Sequence, residues 1–473
     1  MRVFFATAEL APLAQSGGLG DAVAGLARAL AARGHELTVL LPAYRSTLAE
    51  RSLPQLHDAG AVRLAGPFGE LRGRWLAGVL APKLELRLLD LPAFFDRPGL
   101  YGFPDDVPRF ISFARATALR AHEERPDVLV AHDWHAALAI CALRTLFDRG
   151  LTRGVGTLQV VHNNAYQGRA PANAMSWTGL PQELFAPDGL EFFGQLSLLK
   201  AGLISADRIV AVSPGYAREI QTPAFGEGLE GVYQLRRARL IGIANGLDVD
   251  RFDPGTDPAL PERFHSASLA GKRVCRDAML AELGLEKPEP GRFLAAIGRL
   301  TAQKGWDVLL EALAGLVAGG ASIALLGDGE RAIADSLRAS AARFPGRVKA
   351  IVGWDEAQAR RLYAGADGVL VPSRFEPCGL VQLTAQRYGA LPIAHRIGGL
   401  ADTIRDGETG ILFAPLSAEN LVASASRAAQ LVGARGWERL VRELLRLDVS
   451  WARPAALWES ALEEVAREAR ARI

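Results

Sequence analysis

The 473-residue chain is too long for one hydrophobic core, so two domains are expected. Lys and Arg number 54 against 52 Asp and Glu, a net charge of +2, which excludes the basic face of a nucleic-acid or membrane-surface protein. With 49% hydrophobic and 22% charged residues the composition is that of a soluble globular protein, and no apolar run reaches the roughly 18 residues of a membrane span. Three cysteines, Cys141, Cys275 and Cys378, have neither metal-like spacing nor a disulfide framework, which fits a reducing cytoplasm.

In chain order, Val3 to Ala8 reads as a first strand, too short for a signal sequence. Gln15-Ser16-Gly17-Gly18-Leu19-Gly20-Asp21 then opens a helix to about Ala32, stopped by Gly34, and Leu37 to Leu41 is the next strand. A glycine pair between strand and helix either brings backbone amides against a phosphate or a sugar, or packs strand tightly on helix. The spacing is not the dinucleotide G-x-G-x-x-G pattern. Phe95 to Gly102, rich in turn residues and aromatics, reads as a long loop. The apolar run Asp127 to Ala131 ends in His132-Asp133-Trp134-His135, and Thr157 to Val161 ends in His162-Asn163-Asn164, followed by Tyr166 and Gln167. Polar and aromatic residues thus gather at strand ends, where a parallel sheet binds its ligands. Planar polar groups with aromatic faces suit a sugar. Strands at Asp207 to Ser213 and Leu240 to Gly246 close this half, and the Gly, Asp and Pro content from Gly246 to Pro261 marks a linker.

The second half restarts the alternation at Phe293 to Ile297, running into a loop Gly298 to Gly305 that carries Arg299 and Lys304. Two cations in a glycine-bounded loop either hold a diphosphate or sit solvated on the surface. Strands follow at Ser322 to Leu326, Val348 to Val352, Gly368 to Val371 and Leu391 to Ala394. Trp354, past the third strand of this half, either stacks on a base or roofs the core. Gly368 to Pro372 leads into Ser373-Arg374-Phe375-Glu376-Pro377-Cys378-Gly379-Leu380, which puts one carboxylate and a glycine at a strand end before a helix. Gly398-Gly399-Leu400 repeats the Gly-Gly-Leu pattern of residues 17–19 and is a second candidate phosphate nest. Trp451 to Ile473 reads as an amphipathic helix with Trp458 on its apolar face.

Cations, glycine nests and a carboxylate in one half, with aromatics and polar side chains in the other, suit transfer of a sugar from a nucleotide diphosphate to a sugar acceptor. Together and in order, Gly17 to Asp21, His132 to His135, Val161-His162-Asn163, Ala165 to Gly168, Gly298-Arg299-Leu300, Gln303-Lys304-Gly305, Ser373 to Leu380 and Gly398 to Leu400 resemble the bacterial glycogen synthases. These are retaining glycosyltransferases that extend an α-1,4-glucan from a nucleotide-glucose, and the resemblance runs nearly end to end.

It implies an α/β fold of two Rossmann-like domains facing a deep cleft, the GT-B fold: 1–245 on the acceptor side, 246–455 binding the nucleotide-sugar, and a C-terminal helix 456–473 packing back on the first domain. It implies Glu376, Arg299, Lys304 and His162 as catalytic, with Arg299 and Lys304 on the diphosphate, Glu376 stabilising the transferring glucose and His162 on the sugar. Gln15, Gly17, Gly18, Asp21, Asn245, Trp354, Cys378, Gly379, Leu380, Gly398, Gly399 and Leu400 fall on the donor side, and Asp133, Trp134 and Tyr166 on the acceptor side. It implies ADP-glucose and an α-1,4-glucan or maltooligosaccharide as partners, with no metal, cofactor, nucleic acid or membrane. A related enzyme using UDP-glucose, or a weakly catalytic glucan-binding paralogue, is the alternative. Two departures stand out. Position 15 is Gln where the family has Lys, and Thr384 stands where the neighbouring broad group of GT-B transferases has a second Glu.

Overall fold

The computed structural model describes residues 1–146 and 154–472. The chain divides into two compact units, Met1–Gly246 with Trp451–Ile473, and Leu247–Ser450. The sequence reading places the return at residue 456; the contacts place it at Trp451. The reason is local: the Trp451 indole lies where a side chain on Gly25 would stand, its Nε1 only 2.1 Å from the Cβ position, so only glycine there admits it. Leu247 and Ser450 bridge in parallel where the second unit begins and ends.

The first unit is built on strands β1 (Arg2–Ala6), β2 (Glu36–Pro42), β3 (His57–Gly66), β4 (Gly69–Ala81), β5 (Leu84–Asp90), β6 (Val128–His132) and β7 (Gly156–Val161). A small three-stranded sheet, β8 (Arg169–Pro171), β9 (Glu191–Phe192) and β10 (Gln195–Ser197), interrupts before β11 (Arg208–Ala211) and β12 (Leu240–Gly242) rejoin the main sheet. Its order among the described residues is β12-β11-β7-β6-β1-β2-β5-β4-β3. From β12 to β5 all neighbours are parallel, and β6, β7 and β11 are buried along their whole length, which is why they read as unbroken apolar runs. The antiparallel hairpin β3–β4 extends the edge beyond β5. The strand order reverses between β1 and β6, so a crevice opens at their carboxyl ends. The helix Ala452–Arg470 covers this sheet, with Trp458, Leu462 and Val465 buried, and Val465 lies against Gly156 too closely for a Cβ.

The second unit is an all-parallel sheet of β13 (Phe293–Leu300), β14 (Ser322–Gly329), β15 (Val348–Val352), β16 (Gly368–Val371), β17 (Leu391–His395) and β18 (Ile411–Phe413). Its order, β15-β14-β13-β16-β17-β18, reverses between β13 and β16. One core joins Leu294, Ile323, Leu370 and Ile393 on the strands to Trp306, Leu309 and Leu313 on the helix Trp306–Ala318. Lys272 is wholly buried beside it, its Nζ donating to the carbonyls of Tyr363, Ala366 and Tyr388 at 3.3, 2.9 and 2.9 Å. Those three acceptors satisfy an ammonium that would otherwise be costly to bury. Among the described residues no helix is long and apolar enough to cross a membrane.

Candidate functional site

In the second unit, Arg299 and Lys304 lie on and just after β13 and Glu376 just after β16, the two strands between which the order reverses. Arg299 lies on β13 itself rather than in the following loop, because Gly298 to Leu300 continue the pairing with Gly327 to Gly329 of β14. Its guanidinium is exposed and makes no ion pair among the described residues. Lys304 ends the short 302–304 turn, and its Nζ donates to Glu376 Oε2 at 2.5 Å. Lys304, expected on the diphosphate, thus also holds this carboxylate, which is buried. Ser373 Oγ donates to the same oxygen at 2.9 Å, while Oε1 of Glu376 takes no hydrogen bond and is not among the buried unpaired atoms. One oxygen is held by the protein and the other is presented outward. A small pocket lined by Gly298, Lys304, Trp306, Pro372 and Ser373 lies at this point.

The two loops that carry these groups are braced against each other. Arg374 N donates to Gln303 O, Gln303 Nε2 to Phe375 O, and the Arg374 guanidinium makes a bidentate pair with Asp307 at 2.7 and 2.6 Å. That pair holds the Asp307 carboxyl below its ordinary range. Gly399 N donates to Glu376 O at 2.9 Å, and a Cβ on Gly399 would stand 2.3 Å from Cys378 O. Gly379, at φ +78°, leaves room for Gln382, whose Nε2 donates to Cys378 O, Gly379 O and Thr403 Oγ1. In the second candidate nest the Gly399 N–H is used inside the protein, and Leu400 is buried core with its N–H on Ile397 O. Cys378 is likewise buried, and Leu380 precedes the helix Val381–Arg387. Trp354 is 58% exposed, so it does not roof the core; it stands at the end of β15, two strands or about 10 Å from β13.

The first unit gathers its candidates at the crevice between β1 and β6. Glu9, buried just past β1, accepts from Ser16 N, Ser16 Oγ, Gly17 N and Tyr101 OH at 2.9, 2.7, 3.2 and 2.9 Å. Of the glycine pair expected to bring amides to a phosphate or a sugar, the Gly17 N–H is bound by the protein's own carboxylate. Gly18 opens the helix Gly18–Ala32. Gln15 Nε2 donates to Asp21 Oδ2 at 2.6 Å and fixes that carboxylate at the helix start.

Asp133 adopts φ +54° at the junction of β6 with the helix Asp133–Leu146, a conformation that costs a non-glycine residue energy. Its buried Oδ1 accepts from His162 N at 2.7 Å and Asn163 N at 3.3 Å, tying the ends of β6 and β7 together. Burial pushes this carboxyl up to about 7 against the pull of those two N–H bonds. His162 Nε2 meets His132 Nδ1 at 3.0 Å, and burial brings the His162 imidazole down to about 3, so it is neutral.

The acceptor assignments change here. Asp133 is engaged with backbone amides. Trp134 is only 9% exposed, stacked on His135 at 4.0 Å, edged by Phe110 and pressed against Gly168, so its ring offers no face to a sugar. Tyr166 is 52% exposed. Asn245 follows β12, at the sheet's far edge. Sequence reasoning quoted Ser373, Gln303 and Arg374 only as members of motifs and missed Asp307, His395 and Glu9; of these last three, which also orient the candidates, two left no signal. Glu9 alone left a trace, as a lone acid just after an apolar strand.

Comparison with known proteins adds the following. Residues 2–235 match the family described as starch synthase catalytic domain, and residues 291–430 that described as glycosyl transferases group 1. The chain is 42% identical to a glycogen synthase of Methylocella silvestris over 97% of this chain and 98% of the relative. It is 40% identical to a glycogen synthase of Roseobacter denitrificans over 95% and 96%. The structure is similar to the catalytic domain of starch synthase IV from Arabidopsis thaliana bound to ADP and acarbose, at a TM-score of 0.90 and 30% identity over 98% of this chain and 99% of that one.

Two outcomes are expected from this geometry. Gly399→Ala drives a methyl into the Cys378 backbone and displaces the Glu376 loop, costing roughly 1–3 kcal/mol of stability, to be read from urea unfolding. The second concerns Asp133. Its folded pKa lies above the unfolded value of about 3.9, so its contribution to stability is complete below about pH 4 and lost as pH rises through 7. Thermal melts from pH 5 to 8 should show the wild type losing stability relative to Asp133→Asn, and parallel curves would contradict the assignment.

Proposed function

Because the chain belongs to the glycogen synthase family, we propose that it transfers glucose from ADP-glucose to the non-reducing end of an α-1,4-glucan with retention of configuration. The observation that carries this reading is the pairing of Lys304 with Glu376 between the β13 and β16 loops, with Arg299 on β13 itself. Arg299 and Lys304 compensate the departing diphosphate. Glu376 Oε1 faces the positive charge that grows on the sugar as the bond to phosphate breaks. Both interactions strengthen toward the transition state, which is what accelerates a reaction.

On this reading the leaving phosphate oxygen takes the proton of the attacking hydroxyl on the same face of the sugar, which retains configuration. The neutral His162 serves as a hydrogen-bond partner for a sugar hydroxyl and not as an acid, and the exposed Tyr166 ring serves the glucan. The starch synthase bound to ADP and acarbose supports an adenine nucleotide and a glucan as the two substrates. Gln15 is bound to Asp21 and brings no charge to the donor, which predicts weaker donor binding than a Lys would give.

Incubation with a maltooligosaccharide and either ADP-glucose or UDP-glucose, following nucleotide release and chain extension, tests the proposal. Extension from ADP-glucose is expected. Extension from UDP-glucose alone would assign a different donor, and extension from neither would leave a glucan-binding protein. In the active protein Glu376→Ala should lower kcat on the order of 10²–10³-fold, and near-normal turnover would remove Glu376 from the chemistry.

A further inference from the structure

The geometry points to Ser373 as a positioning residue that commits Glu376 Oε2 to the protein and leaves Oε1 for the sugar. The inference rests on the reading of Glu376 given above. Ser373 is fully buried, and its Oγ donates to Glu376 Oε2 at 2.9 Å, the oxygen that also takes Lys304 Nζ. Its carbonyl accepts from His395 Nδ1 at 2.8 Å, so main chain and side chain are both held. The groups facing the carboxylate are Lys304 from the 302–304 turn and Ser373 from its own loop, with His395 of β17 one bond beyond. Arg374 on the same loop has its charge matched by Asp307.

The choice of a hydroxyl has a physical reason. Glu376 must stay negative to meet a developing positive charge, and a second cation on it would cancel that charge. A neutral donor orients the carboxylate without neutralising it. A buried loop serine acting only as a local brace would stabilise the fold and leave the titration of Glu376 where it was. The two roles therefore differ in a measurable quantity.

The test is the titration of the Glu376 carboxylate, followed by infrared difference spectroscopy with Glu376→Gln identifying its band. In Ser373→Ala the midpoint should rise by about one pH unit, the scale of one hydrogen bond to a carboxylate, and Ser373→Thr should restore it. The acidic limb of the kcat profile should move with it while donor KM stays within about twofold, the signature of lost transition-state interaction. An unmoved midpoint in a folded Ser373→Ala protein would overturn the role. Should Ser373→Ala fail to fold, Ser373→Cys, a weaker donor in the same place, carries the same test with a smaller rise expected and no rise overturning it. A shifted midpoint in a protein that transfers from no nucleotide-glucose would uphold the positioning role and overturn the transferase reading.

Discussion

A buried carboxylate survives only where the protein supplies its hydrogen bonds, and Glu376 meets that condition with one cation and one hydroxyl on a single oxygen. Much of the second unit serves that arrangement. The strand order brings the ends of β13 and β16 together, which sets Lys304 and Ser373 on the same oxygen of that side chain. The Arg374–Asp307 pair and the Gln303 amide lock the two loops, and Gly399 closes from behind with its N–H on the Glu376 carbonyl. A long loop left to itself would not hold a reacting group to a fraction of an ångström; three independent ties make these loops part of the scaffold.

The first unit solves a similar problem with carboxylates of its own. Glu9 gathers four donors and so shapes the Gln15 to Gly17 turn, while Asp133 accepts the strained backbone at the end of β6 in return for two amide bonds to β7. In both units a buried acid just beyond a central strand fixes the loop that follows. This is a division of labour: some polar residues at the crevices serve chemistry, and their neighbours serve geometry.

Much of this architecture was legible in the sequence because parallel strands buried on both faces are unbroken apolar runs with glycine or proline at their ends. The hairpin β3–β4 escaped notice: it lies at an edge, its residues alternate with Arg and Gly, and its apolar content, Val62, Leu64, Trp75 and Ala77, is spread thin. The candidate residues on the β13 and β16 loops were found by type and position. Their partners were not, since Glu376 is 72 residues from Lys304 and nothing local announces the bond. Trp134 shows the opposite error. Beside His and Asp it looks like a sugar platform, yet Phe110 and Gly168, remote in sequence, enclose it.

The return of the chain to the first unit has a consequence for how the protein is made. Residues from Trp451 onward are integral to a unit whose other parts begin at Met1, and Gly25 and Gly156 are shaped to receive them. The first unit therefore completes its packing only after the whole of the second has been synthesised. The second unit has all its strands in one continuous stretch. Closure of the first unit thus waits on a segment lying beyond the whole of the second, and the helix Ala452–Arg470 is the latch of its sheet.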